Sequence, residues 1–383
     1  MNLKPNSSSV RNAAWALVAL LATAGCGDDE DTQTTPTKVT FSIVDTGQTS
    51  CYGYANKTTI TCPAEGADFH GQDGSYPGVK ASYTTLEQGQ IVQDNNTGLM
   101  WEQGHHTTKL TWSKAKAACE ALTLGGYSDW RLASIKELYS IATFNGSVGG
   151  EFFLDSKTFK LEIPTTGSLT GTHNYNMMGQ TWSSTARPDD ASMGYYFFNF
   201  LDGHIKSSPD SSKFEHFYRC VRGDASAFAN SLKAGTSTVT DSATGLTWQK
   251  DAAPSRMAWK EALAYCEGLS LDGHSDWRLP DVKELQSIVA YDRTSPSLDT
   301  TAFGFKQESG KADFFWSSTS MLNYPDWACY VCFGPCQSMT GKDIHGPGAQ
   351  RADPKIDKGK DWTAGVGDQK DMVQISNYVR CVR

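Results

Sequence analysis

An aspartate, a tryptophan, an arginine and a glutamate recur at fixed spacing in this chain. They are Asp129, Trp130, Arg131 and Glu137 in "SDWRLASIKEL", and Asp276, Trp277, Arg278 and Glu284 in "SDWRLPDVKEL", 147 residues later. Two carboxylates beside a cation are the ingredients of general acid–base chemistry. Other groupings suggest other chemistries. Cys329, Cys332 and Cys336 in "CYVCFGPC" have a spacing that a soft metal or thiol redox chemistry could use. His105 and His106 are adjacent, but no third ligand follows at zinc spacing. The acidic pair Asp189–Asp190 and the loop "DFHGQDG" (68–74) could attract Ca²⁺, although neither follows the EF-hand pattern, so no motif supports a cofactor.

Each grouping also has a structural reading. Asp129 and Arg131 alternate on one face of a short strand, and Glu137 opens the helix that follows. An arginine paired with one or both carboxylates would pin this strand–helix corner while Trp130 and Leu132 enter the core. An enzyme rarely needs one active site twice, whereas a duplicated fold always duplicates its corners, so bracing is the preferred reading over catalysis. The histidine pair reads as a solvated loop, since the second copy has "DAAPS" there.

The elements that must position these residues come in two copies. "DNNTGLMW" (Asp94–Trp101) matches "DSATGLTW" (Asp241–Trp248), and "WSKAKAACEALTL" matches "WKEALAYCEGLSL". About 23 of 50 positions from 94 to 143 are identical without a gap. "TWSST" then pairs with "FWSST", and "YRCVR" with "YVRCVR". In each copy Ala, Cys and Leu fall at helical spacing, Gly126 or Gly273 stops that helix, and Ser134 or Asp281 caps a second one. The remainder alternates and is aromatic, hence β. The fold class is α+β, with two helices and a mainly antiparallel sheet per copy, over residues 94–223 and 241–383.

Composition narrows the functional class. A net charge of −8 argues against nucleic acid. Lys4 and Arg11 precede the apolar run "AAWALVALLATAG", which ends at "ATAGC" and is followed by "GDDEDTQTTPTK". This resembles a bacterial lipobox: residues 1–25 as a signal peptide, cleavage before Cys26, acylation of its thiol, and an acidic, Thr-rich tether over 26–39. The expectation is an exported, membrane-anchored lipoprotein at the cell surface or in the periplasm, touching the membrane only through its lipid. Export makes the remaining cysteines disulfide candidates. A helix Cys and a last-strand Cys are the only ones present in both copies, which predicts Cys119–Cys220 and Cys266–Cys381. Each closes a loop worth about 4 kcal/mol in the loop-entropy model. Cys51 and Cys62 flank a hairpin in an N-terminal extension (40–93) expected to pack on the first copy. In the C-terminal cluster both Cys332–Cys336 and Cys329–Cys336 are open.

T-G-L-x-W, an A-x-x-C-E helix, S-D-W-R-L-P-x-x-x-E-L, W-S-S-T and a closing R-C-V-R, in this order and twice over, resemble the DUF1566 family, which is also named for the C-terminal domain of the Legionella collagen-like adhesin. The resemblance implies two tandem C-type-lectin-like domains and a surface protein binding an extracellular glycan or matrix protein. Candidate ligand residues lie between W-S-S-T and R-C-V-R: Arg187, Asp189, Asp190 and Tyr195 in the first copy, and Tyr324, Asp326 and Trp327, plus a polar loop from Thr340 to Gly367, in the second. The expected function is a non-enzymatic, adhesin-like binding module. One rival is an enzyme of the formylglycine-generating (sulfatase-modifying) type, which would need Cys329, Cys332 and Cys336. The other is a structural envelope protein.

Overall fold

The computed structural model describes residues 41–54, 58–147, 150–162, 179–189, 191–367 and 369–383, all within one compact unit. The proposed signal peptide, tether and Cys26, and also Asp190, lie outside the described residues. A short hairpin, β1 (Cys51–Tyr52) and β2 (Thr59–Ile60), is closed by the disulfide Cys51–Cys62.

The first copy opens with a meander of β3 (Tyr83–Leu86), β4 (Ile91–Asp94) and β5 (Met100–Glu102). Helix α1 (Trp112–Glu120), β6 (Arg131–Leu132) and helix α2 (Ile135–Ser140) follow. A hairpin sheet of β7 (Gln180–Ala186), β8 (Tyr195–Asn199) and β9 (His204–Ser208) precedes β10 (Cys220–Arg222). This last strand of the copy returns to the first sheet, whose order is β3-β4-β5-β10-β6 and whose pairs are all antiparallel.

The second copy repeats this with β11 (Leu232–Ala234), β12 (Thr238–Asp241), β13 (Leu246–Gln249), β14 (Met257–Ala258), helix α3 (Trp259–Glu267) and helix α4 (Val282–Ser287). Then come β15 (Phe314–Ser320), β16 (Trp327–Cys332), β17 (Gln350–Pro354) and β18 (Ser376–Asn377). Val221 bridges Trp101 and Arg131, and Val382 bridges the equivalent Trp248 and Arg278. The structural repeat thus starts a hairpin earlier than T-G-L-x-W, at β3 and β11. The fold is mixed, with four helices among the described residues and several small antiparallel sheets.

The shared motifs have local causes. Asp94 accepts from the Asn96 amide at 2.9 Å and from the Thr97 hydroxyl at 2.7 Å, and Asp241 holds Ala243 and Thr244 likewise. The tight turn puts Gly98 at φ 77° and Gly245 at φ 80°, which favours glycine. In W-S-S-T the indoles of Trp182 and Trp316 donate to the Leu110 and Met257 carbonyls at 2.8 and 2.9 Å. The motif's threonines, Thr185 and Thr319, each accept the first amide of the corner helix at 3.0 Å. Ser134 and Asp281 cap those helices in full capping boxes with Glu137 and Glu284. Gly126 and Gly273 do not end the first helices. Those helices stop at Glu120 and Glu267, and each glycine, at φ 76°, serves the turn that follows.

The two copies share a core. One cluster of buried residues runs from Trp101 and Leu138 through Trp277 and Val382, while a smaller cluster around Trp130 and Trp182 stays in the first copy. Helices α2 and α4 meet about a local two-fold. Lys136 Nζ donates to the Ser287 carbonyl at 2.7 Å, and the equivalent Lys283 Nζ donates to the Ser140 carbonyl at 2.8 Å. Burial lowers both amines to about 8, and the carbonyls replace the water they lose.

The N-terminal extension (40–93) touches both copies: β3 and β4 join the first copy's sheet, and the Phe144 amide donates to the Thr46 carbonyl at 2.7 Å. Residues 48–76 also make polar contacts with the second copy. Asp73 accepts the Thr319 hydroxyl at 2.6 Å, Tyr76 donates to Glu267 at 2.6 Å, and Lys260 pairs with Asp68. Lys355 donates to the Tyr52 carbonyl at 3.1 Å, and Gln48 spans both copies through the Phe144 and Ser320 carbonyls. The second copy offers the free hydroxyl and charged partners that the extension's polar groups require once buried.

Asp73 makes this docking pH-sensitive. Burial pushes its carboxyl up to about 7, against the pull of the Thr319 and Thr46 hydroxyls. A folded-state pKa raised above the unfolded value of about 3.9 gives stability that is full below that value. It is lost as pH rises through about 7. Urea unfolding between pH 4 and 8 should therefore show a declining contribution that Asp73→Asn removes, because Asn keeps an acceptor for both hydroxyls.

Candidate functional site

Every charged group of the repeated motif has a structural partner. Arg131 donates to both oxygens of Glu137 at 2.8 and 2.5 Å, and Arg278 to both oxygens of Glu284 at 2.6 Å each. The same carboxylates accept the cap amides of Ser134 at 2.7 Å and Asp281 at 3.0 Å. Burial alone would lower Arg278; the charge and hydrogen bonds of Glu284 more than offset it, and its pKa rises. Of the two carboxylates in each corner, the arginine takes the glutamate. Asp129 and Asp276 point outward and pair instead with Arg222 and Arg383, the final arginines of R-C-V-R, at 2.7 and 2.8 Å. Trp130 and Trp277 are buried.

R-C-V-R completes the brace. Arg219 donates to the carbonyls of Glu102 and Gln103 at 2.7 and 2.6 Å, to Gly104, and to Lys160 at 2.7 Å. Arg380 repeats this on Gln249, Lys250 and Gly304. Burial lowers these guanidiniums to about 10 and about 9, so they remain charged at neutral pH and serve as internal caps for loop carbonyls. The intervening cysteines close Cys119–Cys220 and Cys266–Cys381.

The C-terminal cysteines resolve as Cys332–Cys336, with Cys329 unpaired and buried. Burial, and secondarily the charge of Asp73, pushes the Cys329 thiol far above its ordinary value. A thiol so held is neither nucleophile nor ligand. Iodoacetamide should leave Cys329 unmodified in the native protein and label it after denaturation, as read by peptide mapping.

His106 lies 3.0 Å from Glu102, and Cys220 completes a group compact enough to hold an ion. That sulfur is committed to Cys119, so the group lacks a third ligand. Of the acidic loop considered for Ca²⁺, Asp68 pairs with Lys260 and Asp73 with Thr319.

The first copy's candidate ligand residues are largely consumed by contacts between copies. Arg187, whose side chain is 1% exposed, forks onto Asp189, with Nε at 2.9 Å, and reaches Asp343 of the second copy at 2.8 Å. Tyr195 is half-buried and stacked on Trp112 at 3.4 Å between centroids. The neighbouring Tyr196 is buried and donates to the Pro347 carbonyl of the second copy. Arg187 is therefore buried rather than on the binding surface expected of it, while Asp189 stays exposed and Tyr195 is partly covered. Strand alternation in β8 sends Tyr196 inward, and the long loop of the second copy covers Arg187.

In the second copy Asp326 is also buried, at 6% exposure, and it holds Lys358 at 2.9 Å. Tyr324 is the most exposed large apolar residue among those described, at 52%. Its ring lies 5.9 Å from Trp327, which meets Trp362 edge-on at 5.5 Å. Lys360 Nζ stands 4.2 Å above the Trp362 ring, whose indole N–H has no hydrogen-bond partner. Asp343, accepting from the Cys336 and Gly346 amides at 3.1 and 2.9 Å, and the Cys332–Cys336 bridge hold the nearby loop in shape. The result is a surface strip of three aromatic rings edged by lysines. Trp362 lies in the polar loop Thr340–Gly367 offered by the sequence as binding surface, but it is not singled out there because that Gly- and Asp-rich stretch has no alternation. An isolated tryptophan in such a loop is the signal that could have found it.

A family model for the Lcl C-terminal domain matches residues 90–222 and 237–351. No curated protein matches the chain.

Proposed function

The chain belongs to the Lcl C-terminal domain family, in two fused copies, and from that premise we propose that it is a non-enzymatic binding module for an extracellular glycan, built on a C-type-lectin-like scaffold and presented as a lipid-anchored surface protein. The observation that carries this reading is the strip of Tyr324, Trp327 and Trp362. Aromatic faces stack on the apolar faces of sugar rings, and the flanking lysines, Lys358 and Lys360, supply donors for hydroxyls. The strip belongs to the second copy alone, so duplication supplied the frame and divergence the surface. Complete pairing of the repeated carboxylates and arginines also supports binding over catalysis, as does the burial of Cys329.

The test is to screen the full-length chain against glycan and extracellular-matrix protein panels. Retention of at least one glycan is expected. Retention of a protein and no glycan would replace the ligand class, and a blank on both would overturn the reading.

A further inference from the structure

A second cleft, of about 490 Å³, lies where β8 and β9 of the first copy face β17 and the long loop of the second. Phe214, 39% exposed, forms part of its wall, and buried His216 lies in its lining. Its charges are matched within the lining. Lys206 Nζ is 3.2 Å from Asp202, and Arg351 pairs with Asp371. Two cations therefore face two anions. Burial and the neighbouring Lys109 hold His216 neutral, with its pKa lowered to about 3. Arg351 nevertheless keeps one guanidinium nitrogen, Nη1, without a hydrogen-bond partner.

We propose that this cleft binds one neutral sugar unit, its ring stacked on Phe214 and its hydroxyls shared between the Lys206–Asp202 and Arg351–Asp371 pairs. The volume falls in the range of about 300–1,000 Å³ usual for small-molecule sites. A balanced set of charges gives no net attraction to an anion, and two carboxylates repel sulfate or phosphate. The same set suits a vicinal diol. Each carboxylate has lone pairs left to accept a hydroxyl proton, and the Lys206 ammonium has N–H groups left to donate to hydroxyl oxygens. The inference takes its ligand class from the glycan reading above but rests on a different set of residues.

The experiment is saturation-transfer NMR on the full-length chain with neutral methyl glycosides of glucose, galactose, mannose and N-acetylglucosamine. Glucuronate and galactose 6-sulfate serve as charged counterparts, and Phe214→Ala, Lys206→Met and Trp362→Ala as variants. At least one neutral glycoside should bind more tightly than either charged sugar. Phe214→Ala and Lys206→Met should each weaken it about tenfold, with Trp362→Ala unchanged. Phe214 is surface-exposed, so its variant stays informative if Lys206→Met misfolds. Absence of neutral glycoside binding, tighter binding of a charged sugar, or binding indifferent to Phe214→Ala overturns the proposal. Loss in Trp362→Ala alone assigns the sugar to the aromatic strip and overturns the cleft while sparing the glycan reading.

Discussion

Glu284→Ala should destabilise the protein by about 3–5 kcal/mol, the usual result of removing one partner from a buried ion pair. Glu284 is 6% exposed and does three things at once. Its two oxygens take both terminal nitrogens of Arg278, and Oε2 also accepts the Asp281 amide that begins α4. Without it Arg278 loses its only hydrogen-bonded carboxylate among the described residues, keeping only the more distant charges of Asp281 and Asp73, and the helix loses half of its capping box. Glu137→Ala should cost somewhat less, because Arg131 is 26% exposed against 22% for Arg278 and water can partly replace the carboxylate. Urea denaturation with an unchanged m-value checks both numbers. A loss below about 1 kcal/mol at both positions would mean that the corner is not the brace described.

Trp362→Ala and Trp327→Ala should each reduce glycan affinity at least tenfold, about 1.4 kcal/mol. The rings meet edge-on at 5.5 Å, so removing either one also exposes the flank of the other and shortens the strip. Trp362→Ala is the cleaner change. Its indole N–H serves no structural hydrogen bond, and its ring is absent from the main buried cluster, so stability should move by less than about 1 kcal/mol. Trp327 packs partly against that cluster and should lose stability as well as affinity. Isothermal titration with a retained glycan measures the binding effect, and thermal melting the other.

What was legible in the sequence follows from the range of each interaction. The helix cysteines and last-strand cysteines could be paired because they are the only ones present in both copies, and the corner glutamates could be placed because capping is a three-residue pattern. Whether the corner arginine takes one carboxylate or both was left open by the sequence. Alternation puts Asp129 and Arg131 on one face of a strand, but the antiparallel neighbour β10 brings Arg222 to Asp129 and leaves Arg131 to the helix. Contacts between copies left no local trace. Nothing periodic announces that Arg187 reaches Asp343, that Lys136 and Lys283 exchange donors across a local two-fold, or that Asp73 reaches Thr319 over 246 positions. The candidate site was half legible for the same reason. Tyr324 and Trp327 flank a recognisable strand, whereas Trp362 comes from a loop whose position is set entirely by tertiary contacts.

The most direct measurement compares Glu284→Gln and Trp362→Ala in one glycan titration, at a temperature where both are folded. With the repeated motif as frame and the private loop as binding surface, Glu284→Gln lowers the melting temperature and binds normally, while Trp362→Ala melts normally and loses binding. A folded Glu284→Gln protein that no longer binds, beside a Trp362→Ala protein that still does, would contradict it.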